Sequence, residues 1–176
     1  CAGNFKDAGL EYTGALKVLQ MIFSYEYLWI QIRVKGGAYG CMCSFSDQGD
    51  SMFVTYRDPN LSESYKVYDE AADYVVDFDA DDRDMKKYII GTIGSMDMPM
   101  EAVDMGARSF HAYFLGKTEA DLQKVRDQVL SCTQEDIRAL APIVKAVVEA
   151  GNRCCIGNEE KIDQNKEYFD EVKHVL

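Results

Sequence analysis

The sequence predicts an α+β fold in which an antiparallel sheet packs against several helices. Two observations carry this prediction. Strand-like alternation with a polar turn occupies residues 38–57, and helix-like segments with capping residues fill most of the chain on either side. With 176 residues, 47% of them hydrophobic, the chain fits one domain, residues 1–176, with a sizeable core.

The elements of the first half follow from their residue patterns. Residues 1–5 are predicted to be the tail of a strand, so that the sheet is truncated at its N-terminal strands. A long buried helix is expected over 12–34, because its apolar residues, Trp29 and Ile30 among them, cover more than one face. Strands at 38–45 and 52–57 should form a hairpin. The alternation places Tyr39, Cys41, Cys43 and Phe45 on one face of the first strand.

Helices are predicted over most of the second half, and capping residues mark their starts. A capping-box pattern at Asn60 and Glu63 opens a helix that ends near Phe78. The other predicted helices are 82–96, 100–115, a helix after the N-cap Thr118, a helix after the N-cap Thr133, and a last helix from Glu159 onward. Pro142 should kink or split the helix that follows Thr133. A short strand is expected over 152–156.

Charge and hydropathy argue against two classes of partner. A net charge of −11 disfavours nucleic acid, which is bound through clustered Lys and Arg. No apolar run is long enough to span a bilayer, so no membrane partner is expected. Eight acidic residues between positions 69 and 84 are interpreted as a solvated helix face and linker. An acidic wall that steers basic peptides is the alternative.

The six cysteines do not resemble a secreted disulfide framework or a zinc site. The sequence contains no C-x-x-C and only two histidines, so a metal-binding set would have to join distant residues. Buried free thiols are expected, which favours a reducing, intracellular and cytoplasmic location. A thiol or metal protein that uses these cysteines is a weaker alternative.

The most informative stretch combines a basic helix end, a double glycine and a tyrosine that opens a strand. Arg33 lies in the last helical turn, where the helix dipole favours a cation. Gly36 and Gly37 would allow another backbone to approach closely, and Tyr39 presents a phenol beside that gap. The four residues suggest a clamp in which Arg33 binds a carbonyl or carboxylate and Tyr39 binds an oxyanion. Ordinary helix-end charges, with Lys35, and an ordinary C-cap are the alternative.

The run LWIQIRVKGGAYG at 28–40 resembles the arginine-to-tyrosine segment of the presequence-protease branch of the pitrilysin/insulinase family of zinc metallopeptidases. Several matches in the same order are more specific than one short motif. Four further stretches resemble that branch: VTYRDPNLSESYKVYDEA (54–71), DMKKYIIGTI (84–93), EDIRALAPIVKAV (135–147) and IGNEEKI (156–162). The chain is therefore similar to the C-terminal part of such an enzyme.

The resemblance implies a pitrilysin/processing-peptidase-like domain in the noncatalytic half of a peptidase that degrades unfolded oligopeptides. The catalytic zinc would be bound by an H-x-x-E-H motif in the N-terminal half of the same polypeptide. Neither His111 nor His174 opens that motif, so this chain should hold no metal and be inactive alone. Arg33 and Tyr39 match the family's residues that contact the substrate backbone near the zinc. A stand-alone noncatalytic peptide-binding or structural subunit of the same fold is the alternative.

A second Tyr/Arg pair, Tyr56-Arg57, ends the returning strand. It is interpreted as structural, with Asp58 and Asn60 shaping the turn before the next helix. A role for Arg57 in lining the substrate chamber is a minor alternative. His111 lies on a predicted helix and is interpreted as a core or boundary residue.

Overall fold

A computed structural model describes residues 1–174 and confirms the α+β class. The sheet is antiparallel with strand order β1-β3-β2, where β1 is Ala2–Asn4, β2 is Gly40–Phe45 and β3 is Asp50–Tyr56. The predicted hairpin and the strand near the N-terminus are both confirmed. A 3-10 turn, Phe5–Ala8, follows β1 directly.

One face of the sheet is packed against helices and the other is exposed. On the packed face, Cys43 of β2 lies directly opposite Phe53 of β3, and both are buried. Met42 and Met52 on the other face are exposed. This alternation is the two-residue period of a strand with one solvated side, as the sequence predicts for Cys43 and Phe45.

The long predicted helix starts as α1 (Ala15–Ile22) and continues through two π-helical segments, Phe23–Tyr27 and Trp29–Lys35. In these segments a backbone N–H reaches back five residues, as from Leu28 to Phe23. Burial on all sides was the wrong expectation, because Trp29 and Ile30 are exposed while Ile32 is buried. Wide turns of this kind occur often at functional sites.

The remaining helices confirm most of the predicted boundaries. They are α2 (Leu61–Asp69), α3 (Ala71–Val76), α4 (Asp82–Met96), α5 (Ala102–Phe114), α6 (Glu119–Leu130), α7 (Gln134–Arg138), α8 (Ala141–Glu149) and α9 (Glu159–Asp163), with a 3-10 turn at Lys166–Tyr168. Thr118 and Thr133 form complete capping boxes. Pro142 splits the predicted helix, since it occupies the first turn of α8, where a missing N–H costs nothing.

Several predictions of local structure are wrong. The helix predicted from Asn60 to near Phe78 is divided into α2 and α3, and the last helix, predicted from Glu159 onward, ends at Asp163. Asn60 makes no side-chain cap on α2, because its side-chain amide donates a hydrogen bond to the carbonyl of Gly36 instead. The strand predicted over 152–156 is reduced to a single bridge, in which Asn152 pairs with Ala2. Positions 175 and 176 of the predicted last helix lie outside the described residues.

The core is centred on aromatic rings that join the buried helix to the sheet. The Phe23 ring lies 5.7 Å from that of Phe53, 6.4 Å from that of Phe45 and 6.0 Å from that of Tyr74, measured between centroids. Such tilted and edge-on pairs stabilise a core beyond the apolar area they bury. This packing fixes the C-terminal end of the helix above the β2–β3 hairpin.

No helix within residues 1–174 is both long and apolar enough to cross a membrane.

Candidate functional site

Arg33 is held in a defined position at the end of the buried helix. Its guanidinium carbon lies 4.1 Å from the centroid of the Trp29 ring, and its Nε donates a 3.0 Å hydrogen bond to the Tyr39 carbonyl. The exposed Trp29 is therefore a platform for Arg33. No carboxylate of residues 1–174 lies within 4.0 Å of this guanidinium, so its remaining N–H groups face no protein anion.

The double glycine ends the helix, which confirms the predicted C-cap. Gly37 has φ 78°, the left-handed conformation, and its N–H bonds to the Arg33 carbonyl at 3.1 Å. Gly36 has no room for a side chain, because a Cβ would lie 2.5 Å from the Ile32 carbonyl oxygen. Both glycines are therefore required by the helix end itself, and a substrate contact at either one stays a prediction.

The loop after β3 is tied to this helix end. The Asn60 side chain donates a 2.6 Å hydrogen bond to the Gly36 carbonyl. Asp58 accepts from the Asn60 backbone at 2.9 Å and from the Ser64 hydroxyl at 2.5 Å. The predicted roles of Asp58 and Asn60 in shaping the turn are thus confirmed, with an additional long-range bond that the sequence did not indicate.

Tyr39 lies at the start of the hairpin, and its side chain points to solvent. Its exposed fraction is 65%, whereas the neighbouring Ala38 is buried. The prediction that Tyr39 shares a face with Cys43 and Phe45 is therefore wrong. The reason is that β2 begins only at Gly40, so Tyr39 lies outside the regular pleat, although its N–H still bonds to the Arg57 carbonyl.

Arg57 completes the cluster from the other end of the hairpin. Its guanidinium carbon lies 5.8 Å from the Tyr39 ring centroid and 5.3 Å from that of Tyr56. The two tyrosine rings meet edge to face at 6.0 Å. The structure thus brings Arg33, Tyr39 and Arg57 together, and the second Tyr/Arg pair was the only sequence signal for the third member.

The chemistry available to this cluster is hydrogen-bond donation to anions and carbonyl oxygens. Two guanidinium groups and two exposed phenols supply donors, and none of them is a nucleophile or a base in this setting. The neighbouring thiol adds no reactivity, because burial raises the pKa of Cys41 above its ordinary value despite the opposing effect of Arg33. The arrangement offers hydrogen-bond donors to a ligand that carries carbonyl or carboxylate oxygens.

The other candidate chemical groups do not assemble into a site. Among residues 1–174, no group of three or more His, Cys, Asp or Glu side chains could hold a metal ion. His111 is exposed on α5 rather than in the core. Burial raises the pKa of Cys43 and of Cys132 to about 12, which keeps both thiols protonated. The expectation of buried thiols is wrong for Cys154, which is exposed.

The acidic segment behaves as a solvated surface. Most of its carboxylates are exposed, and several pair with cations: Asp84 with the nearby Lys87 at 2.5 Å, and Asp69 and Asp79 with the distant Arg153 and Arg138 at 2.6 and 3.7 Å. Exposed pairs of this kind contribute little to stability. Attraction of basic peptides by this surface stays a prediction.

Comparison with known proteins gives consistent matches over the chain. The family model described as "PreP C-terminal domain" matches residues 1–158. Protein HypA of Clostridium perfringens is 41% identical over 174 residues, 99% of this chain and 18% of that protein. Presequence protease 1, chloroplastic/mitochondrial, of Arabidopsis thaliana is 34% identical over 179 residues, 99% of this chain and 17% of that protein. A mitochondrial presequence protease of Aspergillus fumigatus is 34% identical over 148 residues, 83% of this chain and 13% of that protein. The chain spans less than a fifth of the length of these relatives.

Proposed function

This chain belongs to the PreP C-terminal domain family, and on that premise we propose that it is the noncatalytic C-terminal portion of a zinc peptidase that degrades unfolded oligopeptides. The observation that carries the proposal is the contact between Arg33 and Tyr39 at the helix end, with the Tyr39 side chain exposed to solvent. These two residues form a clamp for the substrate backbone in this proposal, and the whole of residues 1–176 acts as one domain.

The clamp acts by positioning and by charge. Arg33, supported by Trp29, donates its free N–H groups to a carbonyl of the extended peptide. The Tyr39 hydroxyl donates a hydrogen bond to the carbonyl oxygen that gains negative charge as the peptide bond is attacked. Such a donor is most effective when it is preorganised, and the bond from Arg33 to the Tyr39 carbonyl holds the backbone that carries the phenol.

The zinc of the reaction would be bound outside this chain, in the N-terminal half of the same polypeptide. The ligand set that the family uses is H-x-x-E-H with a distant glutamate. Among residues 1–174, His174 lies 3.7 Å from Glu159, and His111 is exposed on α5. In this proposal the chain contributes substrate binding, and cleavage depends on the other half.

Helix α5 offers the surface for contact with that other half. None of its residues is buried, and three of its aromatic side chains, Phe110, Tyr113 and Phe114, are exposed in one cluster. The Phe110 and Phe114 rings lie 4.5 Å apart between centroids. An exposed aromatic patch of this kind is typical of a protein interface, which supports docking against the N-terminal half.

The cytoplasmic location expected from the cysteines stays a prediction. The names of the Arabidopsis and Aspergillus relatives place those proteins in mitochondria, or in chloroplasts and mitochondria. The name of the Clostridium relative states no compartment.

The first test is the reading frame that encodes this chain. A continuous frame with H-x-x-E-H upstream of Cys1 supports the peptidase, whereas a start codon directly before Cys1 would favour the stand-alone peptide-binding subunit.

The second test is Arg33→Ala in the full-length protein. We expect slower peptide turnover at unchanged zinc content, since substrate binding is lost and the metal ligands are untouched. Unchanged turnover would remove Arg33 from the clamp.

A further inference from the structure

Arg57 has a backbone conformation that its residue type does not favour. Its φ of 49° makes it the only non-glycine residue with positive φ among residues 1–174. This conformation is strained for a side chain with a Cβ, and it persists only where the surroundings impose it. Strained residues cluster at binding and active sites, and this tendency directs attention to the contacts of the Arg57 side chain.

The strained backbone directs the Arg57 side chain between two exposed phenols. The rings of Tyr39 and Tyr56 lie 5.8 Å and 5.3 Å from its guanidinium carbon. The Arg57 carbonyl accepts the Tyr39 N–H, so the same residue holds both the backbone and the ring of the proposed clamp tyrosine. Cation–π contacts fix a guanidinium without using its N–H donors, which remain available to a ligand.

Among the described residues, no carboxylate compensates the charge of Arg57. Within residues 1–174, no Asp or Glu oxygen lies within 4.0 Å of it, although the chain carries a net charge of −11. The adjacent Asp58 is occupied by Asn60 and Ser64. By contrast, Arg126 forms a two-pronged pair with Asp97 at 2.5 and 2.7 Å, which is the geometry that a guanidinium adopts when a carboxylate is present.

Arg57 also lines a cavity of 640 Å³ between the end of β3, the start of α2 and the segment 154–165. Lys161 is the second cation among the lining residues, and Glu63, also in the lining, accepts a 2.8 Å hydrogen bond from Ser62. A cavity of this size accommodates a few peptide side chains. A ligand bound at Arg57 could therefore extend into it.

We propose that Arg57, Tyr39 and Tyr56 form a carboxylate-binding subsite beside the Arg33 clamp, which takes a carboxylate group of the peptide. This inference rests on the proposed peptidase function. The planar guanidinium group can donate two parallel hydrogen bonds to one carboxylate. The two phenol rings hold the guanidinium in place for this contact. The carboxylate comes either from the C-terminus of the peptide or from an Asp or Glu side chain within it.

The test uses the full-length protein with Arg57→Gly, Arg57→Lys and the control Arg83→Gln, an exposed arginine on α4. Glycine keeps the left-handed backbone, so Arg57→Gly removes the side chain without adding strain. Arg57→Lys keeps the positive charge but removes the paired N–H donors of the guanidinium. The probe is a short unstructured fluorogenic peptide with a free C-terminus and one internal Glu. Two matched forms carry an amidated C-terminus or Gln in place of Glu.

We expect Arg57→Gly to raise the KM for the parent peptide about tenfold or more, as for the loss of a charged hydrogen bond, with a small change in kcat. The KM of Arg57→Lys should lie between those of the wild type and Arg57→Gly, and the KM of Arg83→Gln should match that of the wild type. The peptide that lacks the bound carboxylate should have the same KM with the wild type and with Arg57→Gly. This result identifies whether the bound carboxylate is the C-terminus or the internal Glu. Equal effects of Arg57→Gly on all three peptides would overturn the subsite.

The two proposals fail in different ways. If Arg33→Ala and Tyr39→Phe leave turnover unchanged, the clamp is wrong, while the dependence of KM on Arg57 and a peptide carboxylate could persist. If the clamp variants are slow but Arg57→Gly does not discriminate among the peptides, only the subsite is wrong. For a protein without measurable turnover, fluorescence anisotropy of the three labelled peptides gives the same comparison as ratios of Kd.

Discussion

The left-handed glycine that ends the buried helix should be required for stability to a degree that the structure specifies. In Gly37→Ala, the added Cβ meets only the Pro59 side chain at 3.8 Å, an ordinary contact. The cost is therefore the φ of 78° alone, about 1–2 kcal/mol for an L-residue in the left-handed region. For a chain of this size that loss lowers Tm by about 2–8 °C.

The assay is urea unfolding of the chain followed by far-UV circular dichroism, with two companion variants. Gly37→Asn should recover much of the loss, because Asn tolerates the left-handed region. Gly94→Ala is the matched control: it lies in α4 with nothing within 4 Å of a new Cβ, so alanine should stabilise the chain by up to about 1 kcal/mol. Opposite signs at the two glycines are the prediction. A neutral Gly37→Ala would refute the reasoning, since it would mean that the helix end does not depend on positive φ.

Two further predictions concern capping and alkaline pH. Thr133→Ala should cost about 0.5–2 kcal/mol in urea unfolding because it removes the capping box of α7, whereas Thr133→Ser, which keeps the hydroxyl, should cost little; equal values would contradict the cap. Burial raises the pKa of Tyr12 and of Tyr74 to about 12, above the value near 10 of an unfolded chain. Stability from these neutral phenols is fully present below about pH 10 and is lost as pH rises towards 12, so the free energy of unfolding should fall over that window. A free energy that stays constant from pH 9 to about 11.5 would contradict this account.

Local signals in the sequence were sufficient wherever the structure is determined by near neighbours. The hairpin, the helix end at Gly37 and the capping boxes at Thr118 and Thr133 each involve residues within a few positions of one another. The split at Pro142 follows from the missing N–H of proline. For the same reason, the boundaries of α4 and α5 were predicted to within two residues.

The candidate site was only partly predictable, because long-range contacts determine it. Asn60 was expected to cap its own helix, yet its amide bonds to Gly36, which is 24 residues away. Tyr39 was expected to follow the strand alternation, but the regular pairing starts one residue later. The positive φ of Arg57 has no signature in the sequence, since Arg rarely adopts it. Arg33 and Tyr39 were identified through a resemblance, because their pattern alone equally fits an ordinary helix end.

The measurement that tests the central claim most directly is the turnover of an unstructured peptide by full-length Tyr39→Phe. Its matched control is Tyr25→Phe, since Tyr25 and Tyr39 have the same exposed fraction of 65%. Each variant loses one phenol hydroxyl, and zinc content is measured for both. We expect Tyr39→Phe to lower kcat by about 100-fold or more, as for the loss of an oxyanion donor, while Tyr25→Phe stays at the wild-type rate and both retain zinc. Equal rates for the two variants would contradict it, because Tyr39 would then be one more surface tyrosine.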